Sequence, residues 1–201
     1  YQSAAPFSLT PLALMVLMLA EAVWSFAYAM QWLPATEDAR GFWLKISFFG
    51  IAAIPVAFHV LVQQFIGRGG WLTRRAYTFL LSIPVLSLLF LWSDSLHGLF
   101  LNKLPFTVEN LIHHGGPWFI VFLFYSYGLM AVNVLLLFRA YMRSSLFYSR
   151  QIRVLLFGAI LPWAVNLVTV MGWSPLDLTP IAFTVTGLLF AYGFFGFRMM
   201  D

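Results

Sequence analysis

Residues 41–66 read GFWLKISFFGIAAIPVAFHVLVQQFI, and this stretch decides the fold. Its one formal charge, Lys45, lies near the start, and the rest is apolar apart from His59 and two glutamines close to the end. At 1.5 Å per residue, a helix of about twenty residues crosses a hydrocarbon core of about 30 Å, so the run is long enough to span a bilayer. A β-barrel strand would alternate apolar and polar residues over about ten positions. No such alternation is present, so the stretch is read as a transmembrane helix.

Five further runs have the same character: 7–31, 75–93, 117–142, 150–172 and 179–199. The 201-residue chain is 62% hydrophobic and 9% charged, which excludes an ordinary soluble domain. The predicted fold class is all-α, a polytopic membrane helix bundle with six helices in this chain. The first run is too long for a signal peptide and lacks a basic leader and a small-residue cleavage site. Pro55, Pro84 and Pro162 fall inside runs, where each frees the carbonyl four residues earlier and bends its helix. Pro117 and Pro180 suit first-turn positions, and Asp177 and Thr179 suit the cap of the last helix.

Charge sets the expected orientation, because Lys and Arg near span ends stay cytoplasmic. Arg68, Arg74 and Arg75 follow the second run, Arg139, Arg143, Arg150 and Arg153 follow the fourth, and Arg198 closes the last. The opposite face carries Arg40 and Lys103 together with Glu37, Asp38, Asp94, Glu109 and Asp177. Both ends of these six helices, and so the C terminus, are therefore expected in the cytoplasm. The net charge of +4 is a topology signal, which makes the bilayer the partner and excludes nucleic acid. With no cysteine in the chain, thiolate metal sites are excluded.

Ionisable groups at membrane depth usually face the bundle interior. Glu21 shares a helix face with Leu17, Trp24, Ser25 and Tyr28, and its best charged partner is Lys45 on the next helix. Two readings stand side by side. In one, Glu21 and Lys45 line an outward-facing cavity and touch a polar or zwitterionic ligand. In the other, Glu21 is protonated and bonded to a neighbouring helix while Lys45 snorkels to the surface. Asn166, one turn after Pro162, either ties helices or donates to a ligand, whereas Asn133 is read as an interhelical contact and His59 as a satisfied core histidine. Trp24 and Trp163 lie deeper than the tryptophans of the interfacial belt, which makes them pocket candidates.

The stretch 94–116 is a long loop, expected to form a short hairpin or lid over the outer mouth. His97, His113 and His114 match no known metal-ligand spacing, so no metal is assigned, and no cofactor or catalytic motif emerges. The ligand-binding candidates are Glu21, Trp24, Tyr28, Lys45, Trp163, Asn166 and Asp177.

The order of features carries a family resemblance. Mid-helix Pro55, the turn at Arg74 and Arg75, the pair Pro162 and Asn166, "DLTP" at Asp177 to Pro180 and the exit "FRMMD" occur in sequence along the chain. Together they resemble the seven-helix membrane sensor region at the N terminus of a group of bacterial histidine kinases, a region that also precedes diguanylate cyclase modules. The resemblance covers nearly the whole chain, 1–201, as a single sensor domain. It implies one further helix ahead of residues 7–31, cytoplasmic modules after the last helix, dimerisation through the full-length protein and residence in the bacterial inner membrane. The function expected is sensing of an external or membrane-dissolved small molecule, with the signal leaving through Phe197 and Arg198. A small-solute transporter or channel is the alternative, and a structural subunit of a larger complex a third reading.

Overall fold

The computed structural model describes residues 10–104, 114–144, 146–174 and 176–196. The expected helix ends at 7–9 and 197–199, and with them Glu109, His113, Phe197 and Arg198, lie outside the described residues. The helices are α1 (Thr10–Met30), α2 (Glu37–Phe65), α3 (Arg74–Trp92), a short α4 (Asp94–His97), α5 (Pro117–Met142), α6 (Leu146–Val170) and α7 (Thr179–Gly196). Five of them are long and apolar enough to cross a membrane, and α7 contains a shorter apolar stretch, Thr179–Phe190. The chain is thus a polytopic helical bundle. α2 starts at Glu37, ahead of its apolar run, because Glu37 and Asp38 fill the first turn, where free N–H groups favour carboxylates.

Helix α2 is the hub and packs on α1, α3 and α5. α5 continues to α6, α6 to α7, and α7 returns to α1. The helices α1, α2, α5, α6 and α7 therefore form a closed ring, with α3 outside it against α2 and α5. The most extensive seam is α1 on α2. It depends on Gly50, where a Cβ would stand 2.3 Å from the Ala20 carbonyl oxygen and 2.9 Å from the Trp24 nitrogen.

All three internal prolines fall inside helices, in α2, α3 and α6. In lipid a freed carbonyl needs a substitute donor, and a neighbouring helix is the available source. Pro84 frees Leu80 O, which accepts the Tyr125 hydroxyl of α5 at 2.6 Å. Pro162 frees Gly158 O, which accepts the Thr186 hydroxyl of α7 at 3.1 Å. Two prolines thus become interhelical ties.

The stretch after α3 is ordered by one buried carboxylate. Asp94 Oδ1 accepts the N–H groups of Phe100 (2.6 Å) and Leu101 (3.0 Å), and Oδ2 accepts that of Lys103 (3.3 Å). The turn so formed sends Phe100 and Leu101 into a buried cluster with Phe48, Leu91, Phe119 and Phe122. It is also joined to the start of α5, where Gly116 N donates to Phe100 O at 2.7 Å. The described part of the expected lid is therefore a fixed cap over α2, α3 and α5.

Candidate ligand-binding site

The helix ring lines a half-open cavity of about 140 Å³ toward the end that carries Asp177. Every ring helix contributes to its wall. α1 supplies Trp24 and Tyr28; α2 supplies Leu44, Phe48, Ile51 and Pro55. From α5 come Phe119, Phe122, Ser126, Tyr127 and Met130, and from α6 Pro162, Trp163, Asn166 and Thr169. Asp177, Thr179 and Phe183 close the last side. The spacings of three and four residues put each helical set on one face. A dry cavity of about 150 Å³ holds a benzene molecule, so the volume suits a ligand of about one ring.

Aromatic rings form much of the wall. Trp24 meets Phe183 edge-on at 5.0 Å between ring centroids, and Tyr127 leans on Trp163 at 6.0 Å. One end of the cavity is polar and directional. The Tyr127 hydroxyl donates to Asn166 Oδ1 at 2.6 Å, and Asn166 Nδ2 donates to Thr179 Oγ1 at 3.3 Å. Asp177 then accepts the Thr179 N–H at 3.0 Å in a turn that leads into α7, and it also accepts side-chain bonds from Thr179 and Thr169. The Asp177 N–H donates to the Tyr28 hydroxyl oxygen at 2.9 Å. Burial pushes the Asp177 carboxyl above its ordinary range, and the bonds from Thr179 and Thr169 only partly offset this.

Two polar atoms of the wall have no hydrogen-bond partner among the described residues, Trp163 Nε1 and Ser126 Oγ. Buried groups of this kind are uncommon in native structures because desolvation is uncompensated. Pro55 also removes the N–H that would bond the Ile51 carbonyl.

Of the seven residues singled out in the sequence, the structure brings five together here: Trp24, Tyr28, Trp163, Asn166 and Asp177. Glu21 and Lys45 are not in the wall. Glu21 is buried at 6% exposure, one turn from Trp24 on the arginine-rich side. Lys45 faces α3 instead, with Nζ 5.8 Å from the centre of the Trp92 ring. The only ion pair among the described residues is Arg40 with Glu37, so Glu21 and Lys45 do not pair. The whole contribution of α5 went unread in the sequence. Its signal was Phe119, Phe122, Ser126 and Met130, spaced three, four and four, which places a hydroxyl on an aromatic face.

Elsewhere His59 Nδ1 donates to Asn133 Oδ1 at 2.7 Å, tying α2 to α5. His97 is engaged on both ring nitrogens, by Ser93 Oγ at 2.9 Å and by the Leu99 N–H at 3.0 Å. No group of three potential metal ligands exists among the described residues.

The family model for the N-terminal 7TM region of histidine kinase matches residues 7–201. The chain belongs to this family. No curated protein and no solved structure matches it. As a histidine kinase 7TM region it is a sensory, multi-pass membrane domain. Five membrane-spanning candidates of this 7TM region and the shorter apolar helix α7 fall within the described residues, and the polar cavity end adjoins α7.

Proposed function

We propose that this 7TM region senses a small external or membrane-dissolved molecule bound in the ring cavity, and that α7 carries the change to cytoplasmic modules in the inner-membrane kinase. The observation that carries the reading is a cavity walled by all five ring helices, whose polar end is built on the first turn of α7. A ligand there touches α1 and α7 together and so biases how α7 sits in the ring. A ligand shifts an equilibrium only by its differential affinity for two arrangements, and a wall shared by five helices gives it contacts that differ between them. Trp24, Tyr28, Trp163, Asn166 and Asp177 are the proposed ligand contacts; Glu21 is assigned to the layer beneath them.

The test is autophosphorylation of the full-length kinase in membrane vesicles, titrated with a panel of one-ring solutes. Trp163→Leu and Asn166→Ala are expected to raise the half-maximal dose about tenfold or more, in line with loss of a buried anchor. Lys45→Met, on the α3 side, is expected to leave the dose unchanged. An unchanged dose in both cavity variants overturns the assignment. Solute flux through liposomes carrying the protein would favour a transporter instead.

A further inference from the structure

We infer that the cavity selects a small organic ammonium ion, an inference that rests on the ligand-cavity reading above. The charge balance of the wall is the first ground. Among the described residues it holds one carboxylate, Asp177, and no Lys, Arg or His, since Lys45 is turned toward Trp92. The α7 N-terminus next to Asp177 contributes roughly half a positive charge, against a full negative charge on the carboxylate. The polar end is thus net negative and disfavours an anion.

The aromatic wall is the second ground. Trp24, Tyr28, Tyr127 and Trp163 present ring faces or edges to the same small volume. Ring faces attract cations, most strongly once water is removed. A neutral one-ring ligand would satisfy the volume but not the carboxylate.

The third ground is the pair of unpartnered atoms. Trp163 Nε1 is a donor only and Ser126 Oγ can serve either way, so an acceptor on the ligand would add to binding without being required. Both lie in the cavity wall, where burial of an unmade bond is costly. A ligand with an ammonium at the Asp177 end and an acceptor toward α5 and α6 satisfies all three features. A free amine and the headgroup of an aminophospholipid share this chemistry.

The test uses the full-length protein in dodecyl maltoside micelles and isothermal titration with three probes of one shape: benzylamine, benzyl alcohol and benzoate. Benzylamine is expected to bind about tenfold more tightly than benzyl alcohol, with benzoate weakest. Asp177→Asn keeps an oxygen acceptor for the Thr179 N–H, so the turn into α7 is retained, and it should bring the first two probes to similar affinity. A second measurement needs no variant. Benzylamine stays charged over the working range, so its binding should be present above the Asp177 pKa and lost as pH falls through it, at a pH above the ordinary value near 4. The groups facing Asp177 are Tyr28 of α1, Tyr127 of α5, Asn166 and Thr169 of α6, and Thr179 of α7. Asn and Thr do not titrate, and tyrosine ordinarily does so near 10, so none of them mimics that loss.

Equal binding of benzylamine and benzyl alcohol by the native protein, or a preference that survives Asp177→Asn, overturns the ammonium inference and leaves the cavity reading standing. Binding of none of the three probes overturns both. If benzylamine binds, adding phosphatidylethanolamine to the micelles separates the sources. Competition assigns the ammonium to a lipid headgroup, and its absence assigns it to a free amine; either supports the class.

Discussion

Asp94 and Asp177 are both acids beyond a helix end, and both accept backbone N–H groups, yet their neighbours give them different work. Asp94 spends both oxygens on the Phe100, Leu101 and Lys103 N–H groups and holds a turn. Asp177 accepts one backbone bond and the side-chain bonds of Thr179 and Thr169, and it lies in the wall of a cavity. Asp94→Ala should therefore be a stability variant. It strands buried N–H groups at about 1–3 kcal/mol each, so the unfolding midpoint should fall and amide hydrogen exchange should rise across residues 98–104. Ligand affinity should fall less than in the cavity variants, and unchanged exchange in the loop would show that Asp94 does not organise it. Both residues stood out in the sequence as outer-face acids. Their roles depend on which N–H groups the chain folds back to present, which a linear reading does not contain.

At the scale of helices, hydropathy alone made the spans legible, because lipid demands long uninterrupted apolar runs. The internal prolines were legible as well, and so was the carbonyl that each one frees. What was not legible was the donor that answers it, since Tyr125 and Thr186 lie on helices 45 and 28 residues away in sequence. The cavity divides the same way. Trp24, Trp163 and Asn166 stand out as aromatic or polar groups at depth, whereas on α5 only Asn133 stands out at depth and the rings around Ser126 and Tyr127 mask the face they share. Lys45 was misleading because its height in the helix is compatible with Glu21, while its rotation, toward Trp92, appears only once α3 is in place. Rotation also explains Gly50, an ordinary residue in an apolar run until α1 lies on it. Gly50→Ala should force α1 and α2 apart at Ala20 and Trp24, with a loss of about 1–3 kcal/mol typical of overpacking. Thermal unfolding in detergent measures the loss, and Gly128→Ala, where a Cβ meets nothing within 4 Å, is the matched control. Equal melting of the two variants would refute the close approach.

For the whole molecule, the ring has seams of unequal strength, and under the proposed function this sets where a ligand would act. α1 on α2 is the most extensive and α6 on α7 the next, with Gly158 against Phe190 and the Thr186 hydroxyl on the Gly158 carbonyl. The closing seam, α1 on α7, is the slightest in the ring and includes the contact of Gly187 with the Met18 side chain. Both sides of that seam reach the cavity, through Trp24 and Tyr28 on one side and Asp177, Thr179 and Phe183 on the other. A bound molecule adds contacts across the weakest closure while leaving the strong pairs intact, so α1–α2 and α6–α7 should move as two units joined through α5. The chain has no cysteine, so spin labels can be placed without removing native thiols. Met15→Cys and Leu188→Cys put labels on exposed positions of α1 and α7, 67% and 68% exposed, and Met15→Cys with Phe49→Cys gives the α1–α2 control. Saturation with a ligand that alters autophosphorylation should shift or narrow the α1–α7 distance distribution and leave the α1–α2 distribution unchanged. If the α1–α7 distances stay fixed while autophosphorylation changes, the signal does not leave through this seam; if both distributions move together, the ring responds as one body and the two-unit description fails.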